Sequence, residues 1–94
     1  MRFEVFGKAD CAKCTSTKDK LNHLLSKGQA DGDSITFIDV ETIEGMAEGA
    51  FHDVRDVPTT ILRSDDGEPL ARWDGCIPPS VEVQSFLTAP RVQA

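Results

Sequence analysis

The chain has 94 residues, of which 39% are hydrophobic, and carries a formal net charge of −6 with a pI near 4.7. This length suits one small domain with a single core, and we expect residues 1–94 to form it. The acidic balance argues against a nucleic-acid partner or an anionic membrane surface. Three cysteines are too few for a disulfide-stapled secreted scaffold, and the first residues lack the apolar run of a signal peptide, so we expect a cytoplasmic protein.

The first half of the chain predicts a strand, a helix, a second strand and a second helix. These elements are expected at residues 2–6, from Ala12 to about Lys27, at Ile35–Val40 and from Ile43 to Val54. Asp10 is the expected N-cap of the first helix, and Gly28 its terminator. The second strand is mostly apolar, so we expect it to be central in the sheet. Thr42 is the expected cap of the second helix, which Gly45 and Gly49 are expected to weaken.

The second half predicts a hairpin and a last helix. The third strand is expected at Thr59–Arg63, and Asp65-Asp66-Gly67 is a hairpin turn signal that makes the fourth strand, Leu70–Trp73, antiparallel to the third. A last helix opens at Pro78, and residues 88–94 are expected to form a frayed tail. The order is βαβαββα, in which the first βαβ unit requires parallel pairing. We therefore expect an α/β fold with a four-stranded mixed sheet and helices on both faces.

Two cysteines three positions apart, Cys11 and Cys14, stand between the first strand and the first helix. At a helix start this spacing puts two sulfurs within disulfide reach, and the free N–H groups of the first turn stabilise a thiolate. Lys8 and Lys13 favour that thiolate, whereas Asp10 opposes it, so we expect a moderately acidic Cys11. Cys14 falls on the apolar face of the helix and should be less exposed. Such a pair in a small intracellular chain is typical of a dithiol redox centre.

Three features together carry a resemblance to a known family. They are Cys11-Ala-Lys-Cys14 after the first strand, Val54-Arg-Asp-Val-Pro-Thr59 before the third, and Asp74-Gly75 before the last helix. With these features in this order, the chain resembles the thioredoxin fold and, more narrowly, a glutaredoxin-like redoxin. The resemblance covers nearly the whole chain. It implies a thioredoxin-like α/β domain with thiol–disulfide chemistry.

The resemblance also implies roles for individual residues. Cys11 is expected to attack a substrate disulfide, and Cys14 to resolve the mixed disulfide that forms. Pro58 resembles the family's cis-proline, which would leave the backbone of Val57 free to pair with an extended substrate segment. The remaining substrate-binding residues are expected to be Lys8, Lys13, Thr59 and Gly75.

Glutathione binding is only partly supported by the resemblance. In glutaredoxins a lysine before the cysteine pair, the backbone before the cis-proline, and a Gly-Gly followed by an acidic residue hold glutathione. Lys8 and Val57 match the first two, but Gly75 is followed by Cys76 with no acid after it. Thioredoxin's marks are also missing, since no Trp precedes the pair and Val5 stands where a buried Asp would be. The reductant is left open between glutathione and a reductase enzyme, with no cofactor beyond the redox-active disulfide.

Other chemistry-bearing residues receive weaker interpretations. Cys76 is expected on the loop that flanks the site, either as a regulatory thiol or as a small, half-buried loop residue. His23 and His52 lack metal-ligand spacing and are expected at solvated helix positions. Trp73 is expected to be half-buried, with a contribution to the substrate surface as the alternative. Four acidic residues are interpreted as loop residues and not as a metal site: Asp31, Asp33, Asp65 and Asp66.

We therefore expect a small cytoplasmic thiol–disulfide oxidoreductase that cycles its cysteine pair to reduce protein disulfides. Its partners would be disulfide-bonded proteins and a reductase or glutathione, with no nucleic acid and no membrane, and the chain itself is expected to be monomeric. Two alternatives come from other classes. One is a non-enzymatic iron–sulfur or metal carrier of the glutaredoxin type, and the other is a partner-binding thioredoxin-like module without turnover.

Overall fold

The structure is a computed structural model that describes residues 1–27 and 33–88. Its seven elements follow the order β1α1β2α2β3β4α3, which confirms the predicted βαβαββα arrangement. They are β1 (Arg2–Gly7), α1 (Ala12–Lys27), β2 (Ser34–Asp39), α2 (Ile43–Phe51), β3 (Thr59–Arg63), β4 (Pro69–Asp74) and α3 (Ser80–Thr88). Gly28, the predicted helix terminator, lies outside the described residues. So does the predicted tail apart from Thr88, which ends α3.

The four strands form one mixed sheet in the order β2-β1-β3-β4. Strand β1 runs parallel to β2 and antiparallel to β3, and β4 runs antiparallel to β3, as the crossover and hairpin signals predict. The prediction that the second strand is central is wrong, because β2 lies at an edge. Its composition misleads because only alternate side chains, Ile35 and Phe37, pack against the core. The central strand β1 instead has three fully buried side chains, Phe3, Val5 and Phe6.

Helices α1 and α3 share one face of the sheet and enclose the main core with it. The core side chains come from Met1, which precedes β1, and from β1, α1, β3, β4 and α3: Met1, Phe3, Val5, Leu21, Leu24, Leu62, Trp73 and Val83. Helix α2 lies on the opposite face, where the ring of His52 at its C-terminal end packs edge-on against Phe6 with the ring centroids 5.9 Å apart. Helices therefore cover both faces, as expected.

Helix α2 packs on the sheet through its glycines. Gly45 and Gly49, one helical turn apart, are its buried residues, while Ile43 is 80% and Phe51 82% exposed. A Cβ at position 45 would overlap the backbone carbonyl oxygen of Asp39. These glycines thus let the helix approach the backbone, although their low helix propensity predicts a weakened helix. The predicted cap is confirmed, since the Thr42 hydroxyl accepts the Gly45 N–H at 2.9 Å.

The β3–β4 hairpin is closed by side-chain and backbone hydrogen bonds at the predicted turn. The N–H of Gly67 donates to the carbonyl of Ser64 at 3.0 Å. The Ser64 hydroxyl donates to Asp66, and this hydrogen bond holds the pKa of the Asp66 carboxyl below its usual value. The Asp-Gly signal therefore places the turn correctly.

Two arginines tie α2 and the sheet together on the α2 face. The Arg72 guanidinium donates to the carbonyls of His52 at 2.5 Å and Asp53 at 3.0 Å, which are carbonyls left open where α2 ends. Arg63 forms a half-buried ion pair with Glu4 of β1, with an Nε–Oε1 distance of 2.6 Å, and its Nη2 lies 3.3 Å from Nδ1 of His52 at the end of α2. Both guanidinium groups therefore make contacts that stabilise the folded chain.

Two adjacent threonines of β3 provide a stability prediction. Both side chains are fully buried, but Thr59 donates its hydroxyl to the carbonyl of Asp56 at 2.6 Å, whereas the hydroxyl of Thr60 has no partner among the described residues. Thr60→Val should raise the free energy of unfolding by about 1 kcal/mol, because it removes an unpaired buried polar group and keeps the shape. Thr59→Val is the matched control and should lower it by about the same amount. Chemical denaturation would measure both changes in the free energy of unfolding. Changes of the same sign in the two variants would contradict the conclusion that Thr59 is hydrogen-bonded and Thr60 is not.

Candidate active site

The cysteine pair lies at the carboxyl end of β1, where α1 begins. The carbonyl of Cys11 accepts the N–H of Thr15 at 3.1 Å, and its Sγ accepts the N–H of Cys14 at 3.1 Å. Cys11 is therefore itself the residue that caps α1, with sulfur in the place of the usual capping oxygen. The prediction that Asp10 is the N-cap is wrong, because α1 begins one residue later than that cap requires.

The two cysteines differ in access to solvent. They are joined as a disulfide with their Cα atoms 5.2 Å apart. Cys14 is completely buried, as its place on the apolar helix face predicts, whereas Cys11 is partly exposed. Of the two cysteines, Cys11 is therefore the one that a molecule arriving from solvent can contact.

Gly7 forms the wall behind the buried cysteine. A Cβ at this position would lie 2.8 Å from the Sγ of Cys14 and 2.9 Å from the ring of Phe37, which is closer than such atoms approach. The last residue of β1 must therefore be small for α1 to start where it does. In the sequence, this requirement for a small residue is visible only as a single glycine directly after the predicted strand.

The predicted proline loop lies at the same end of the sheet. The Val57–Pro58 peptide bond is cis, as the resemblance implies. Strand β3 begins directly after it, and Thr59 pairs with Phe6 near the end of β1. The carbonyl of Pro58 accepts the N–H of Gly75 at 2.9 Å, which brings the third predicted motif to this loop.

Several predicted substrate-binding residues can now be placed. Gly75 has a φ of +68°, and a Cβ there would lie 3.1 Å from the Cβ of Asp56, so the turn favours glycine. Thr59 is completely buried between β1 and β4, and its hydroxyl donates to the carbonyl of Asp56. Lys13 is exposed on the first turn of α1. Their roles in binding stay predictions.

A groove of about 320 Å³ adjoins the cysteine pair. Lys8, whose carbonyl accepts the Cys11 N–H at 3.4 Å, lines it together with Val57 and Arg55. The rest of its lining is largely apolar: Val40, Met46, Gly49, Ala50 and Val54. Arg55 was not among the predicted site residues, although it lies between two motif residues of the proline loop. Its 82% exposure and its surface pair with Asp53 leave its charge available to solvent.

The other candidates occupy different surroundings. Cys76 is an exposed free thiol directly after Gly75, and its regulatory role stays a prediction. His23 is exposed, as expected, but the solvated position predicted for His52 is wrong, because that ring packs between aromatic neighbours and beside Arg63. The half-buried position predicted for Trp73 is wrong, because this side chain belongs to the core at 8% exposure and its indole N–H donates to Glu82 at 3.0 Å.

The acidic loop residues make contacts of their own. Asp33 and Asp65 both accept hydrogen bonds from the Met1 amino group, at 2.9 and 2.6 Å, and Asp31 lies outside the described residues. Across residues 1–27 and 33–88, His, Cys, Asp and Glu side chains nowhere gather in threes in a way that would hold a metal ion. Over the same part of the chain, the helices lack the combined length and apolarity needed to cross a membrane.

The comparisons with known proteins concern the fold. A scan against protein-family models gives no match, and neither does a search of curated proteins. Among solved structures, thioredoxin 1 from Thermosipho africanus superposes with a TM-score of 0.71 at 23% identity, over 92% of this chain and 90% of that chain. The chain has the thioredoxin fold. An uncharacterised thioredoxin-like protein from Clostridium perfringens gives a TM-score of 0.75 at 15% identity, over 92% of this chain and 67% of that one.

A third structure resembles this chain along both lengths. NrdH-redoxin from Escherichia coli, titled a glutaredoxin-like protein with a thioredoxin-like activity profile, is 22% identical with a TM-score of 0.62. The superposition covers 96% of this chain and 100% of that chain. The thioredoxin fold predicted from the three motifs is thus confirmed at the level of architecture.

Proposed function

We propose that the chain is a thiol–disulfide oxidoreductase that cycles Cys11 and Cys14 between dithiol and disulfide to reduce protein disulfides. The observation that carries the proposal is the asymmetry of the pair. Cys11 is partly exposed at the N-terminus of α1 and its sulfur accepts a backbone N–H, whereas Cys14 is completely buried and disulfide-bonded to it. Because an N–H donor and the helix dipole both favour negative charge, this position stabilises the thiolate that attacks.

The reaction follows from that geometry in two exchanges. The Cys11 thiolate attacks one sulfur of the substrate disulfide, forms a mixed disulfide and releases the other sulfur as a thiolate that takes up a proton. The thiol of Cys14 then loses its proton and attacks the sulfur of Cys11, which releases the second substrate sulfur. Two electrons and two protons pass to the substrate, and the chain is left with the Cys11–Cys14 disulfide.

The loop beside the pair supports recognition of an extended substrate segment. Val57 and Lys8 line the same groove, which supports the proposal that the backbone N–H and carbonyl of Val57 pair with an extended substrate segment. Glutathione or a reductase enzyme would restore the dithiol. We propose no bound cofactor, a cytoplasmic setting and a monomeric chain for this cycle.

The roles of the two sulfurs make a direct prediction. In a Cys76→Ser background, Cys11→Ser should reduce the rate of insulin disulfide reduction to background, because it removes the attacking sulfur. Cys14→Ser should also stop turnover but accumulate a stable mixed disulfide, which mass spectrometry would detect on Cys11. Alkylation of the reduced parent at neutral pH supplies the control. Faster labelling of Cys14 than of Cys11 would show that the roles are reversed.

A further inference from the structure

The outer face of α2 carries an apolar surface that the redox cycle does not use. Five residues at helical spacing form it, and we call them the outer stripe: Ile43, Met46, Ala47, Ala50 and Phe51. At 100° per residue they cover one side of the helix, opposite the two glycines that pack on the sheet. Ile43, Met46 and Phe51 are 80%, 54% and 82% exposed, respectively. A contiguous apolar surface of this kind on a small acidic protein marks an interaction site.

The outer stripe joins two grooves. On one flank Met46 and Ala50 line the groove that Lys8 and Val57 share beside the cysteine pair. On the other flank Phe51 borders a second groove, of about 570 Å³, whose far wall includes Leu70. A bound segment could therefore lie across α2 with apolar side chains in both grooves.

The second groove is suited to an apolar group and not to an anion. Its two cations are Arg63 and Arg72, and the guanidinium of Arg63 is paired with Glu4 at 2.6 Å. The guanidinium of Arg72 donates to the carbonyls of His52 and Asp53, directly after α2, and to the carboxylate of Asp74. Because both guanidinium groups already have hydrogen-bond and ion-pair partners within the chain, the exposed side chains of Phe51 and Leu70 favour an apolar group in this groove.

Charge selects the kind of partner. Glu44 and Glu48, one turn apart on α2, are exposed along the Phe51 flank of the outer stripe, and exposed Glu41 lies just before the helix. The whole chain carries 16 acidic and 10 basic residues, so two copies repel one another. Lys8 and Arg55 line the groove on the Met46 flank, so the acidic side of the outer stripe is its Phe51 flank. A partner segment with apolar side chains and with lysine or arginine along that flank would meet complementary charge.

We propose that the outer stripe is a docking surface for a partner protein whose contact segment presents apolar side chains, with basic residues on the side that faces Glu44 and Glu48. The surface is independent of the thiol chemistry, although its Met46 edge would hold a docked partner beside Cys11. A docked partner would thus gain proximity to the reactive sulfur without any contact to it.

The test uses a ¹⁵N-labelled chain in which all three cysteines are serine, so that binding is measured without redox exchange. The probe is a synthetic amphipathic helix with a leucine stripe bordered by lysines along one side, and the matched probe carries glutamate at every lysine position. The lysine peptide should shift the amides of Ile43–Phe51 and bind at least about tenfold more tightly than the glutamate peptide. Phe51→Ser should weaken that binding at least about tenfold. Val81→Ser removes a side chain that is 74% exposed on α3 and should leave it unchanged.

Three results would overturn the proposal. One is amide shifts spread over the acidic surface and unaffected by Phe51→Ser, which would show unspecific charge attraction. Another is equal affinity for the two peptides. The third is concentration-dependent self-association that Phe51→Ser abolishes, which would make a second copy the occupant. Absence of insulin reduction by the parent chain would refute the redox proposal alone, because the binding experiment contains no cysteine.

Discussion

Gly45→Ala should destabilise the chain by about 3 kcal/mol, the upper end of what an extra methyl group costs in a packed interior. The added Cβ overlaps the backbone carbonyl of Asp39, and it would also lie 2.9 Å from the Thr42 hydroxyl. A backbone oxygen at the end of β2 cannot rotate away as a side chain would. Helix α2 must therefore shift off the sheet, and it would lose the Thr42 cap that the Gly45 N–H completes.

Gly49→Ala is the matched control for this effect. The same methyl group at Gly49 would have its nearest neighbours, the side chains of Val40 and Val54, at 3.8 Å, which is ordinary contact. Because alanine is favoured over glycine in a helix interior by about 1 kcal/mol, Gly49→Ala should leave the free energy of unfolding unchanged or raise it. Urea denaturation followed by circular dichroism would compare the two. Similar losses in both variants would mean that helix propensity, and not close approach, governs α2.

The contrast between these glycines shows where sequence patterns succeed and where they fail. Helical spacing predicts that α2 exists and where it starts, because Thr42 provides a cap and the apolar residues recur with the helical period. The same pattern cannot tell which side of the helix meets the sheet. The side with Gly45 and Gly49 packs against the sheet, because only small residues permit the close contact with Asp39. The large apolar side chains of the helix are therefore exposed to solvent.

The strand order shows the same limit. Local signals predict each strand and its direction, because a βαβ crossover enforces parallel pairing and an Asp-Gly turn enforces antiparallel pairing. Burial in the sheet depends on which strand lies between the others, and that is a property of the whole topology. An apolar run such as Ile35–Val40 suits a central strand or an edge strand covered by a helix, and the structure has the second.

The candidate site was predictable where motifs fix backbone geometry. The cysteine pair and the cis peptide bond at Val57–Pro58 are specified by short sequences that resemble a known fold. The capping sulfur of Cys11 was not predicted, because a cysteine is not a common N-cap and the preceding Asp10 offers a better oxygen. Arg55 was missed because only the folded loop brings it to the groove that Lys8 lines.

Gly7→Ala should impair both stability and turnover. Its methyl group would lie 2.8 Å from the Sγ and 3.0 Å from the Cβ of Cys14, and 2.9 Å from the ring of Phe37. Because Cys14 is completely buried on α1, it can yield only if the start of the helix moves away from β1. We expect a loss of about 1–3 kcal/mol in the free energy of unfolding of the reduced chain. The insulin-reduction rate should fall with it, because the same movement displaces Cys11.

A double-mutant cycle separates this contact from a general effect of alanine in β1. Cys14→Ala removes the Sγ that lies closest to the new methyl group, so Gly7→Ala should cost less in that background. The coupling between the two sites should be about 0.5–3 kcal/mol, the range for residues in direct contact. All four proteins are compared in reductant, so that no disulfide contributes to any of them. Additive losses of stability would show that a side chain at position 7 does not contact Cys14. The conclusion that Gly7 must be small to accommodate Cys14 would then be wrong. A coupled loss would instead establish that the end of β1 sets the position of Cys14, the cysteine that we propose resolves the mixed disulfide.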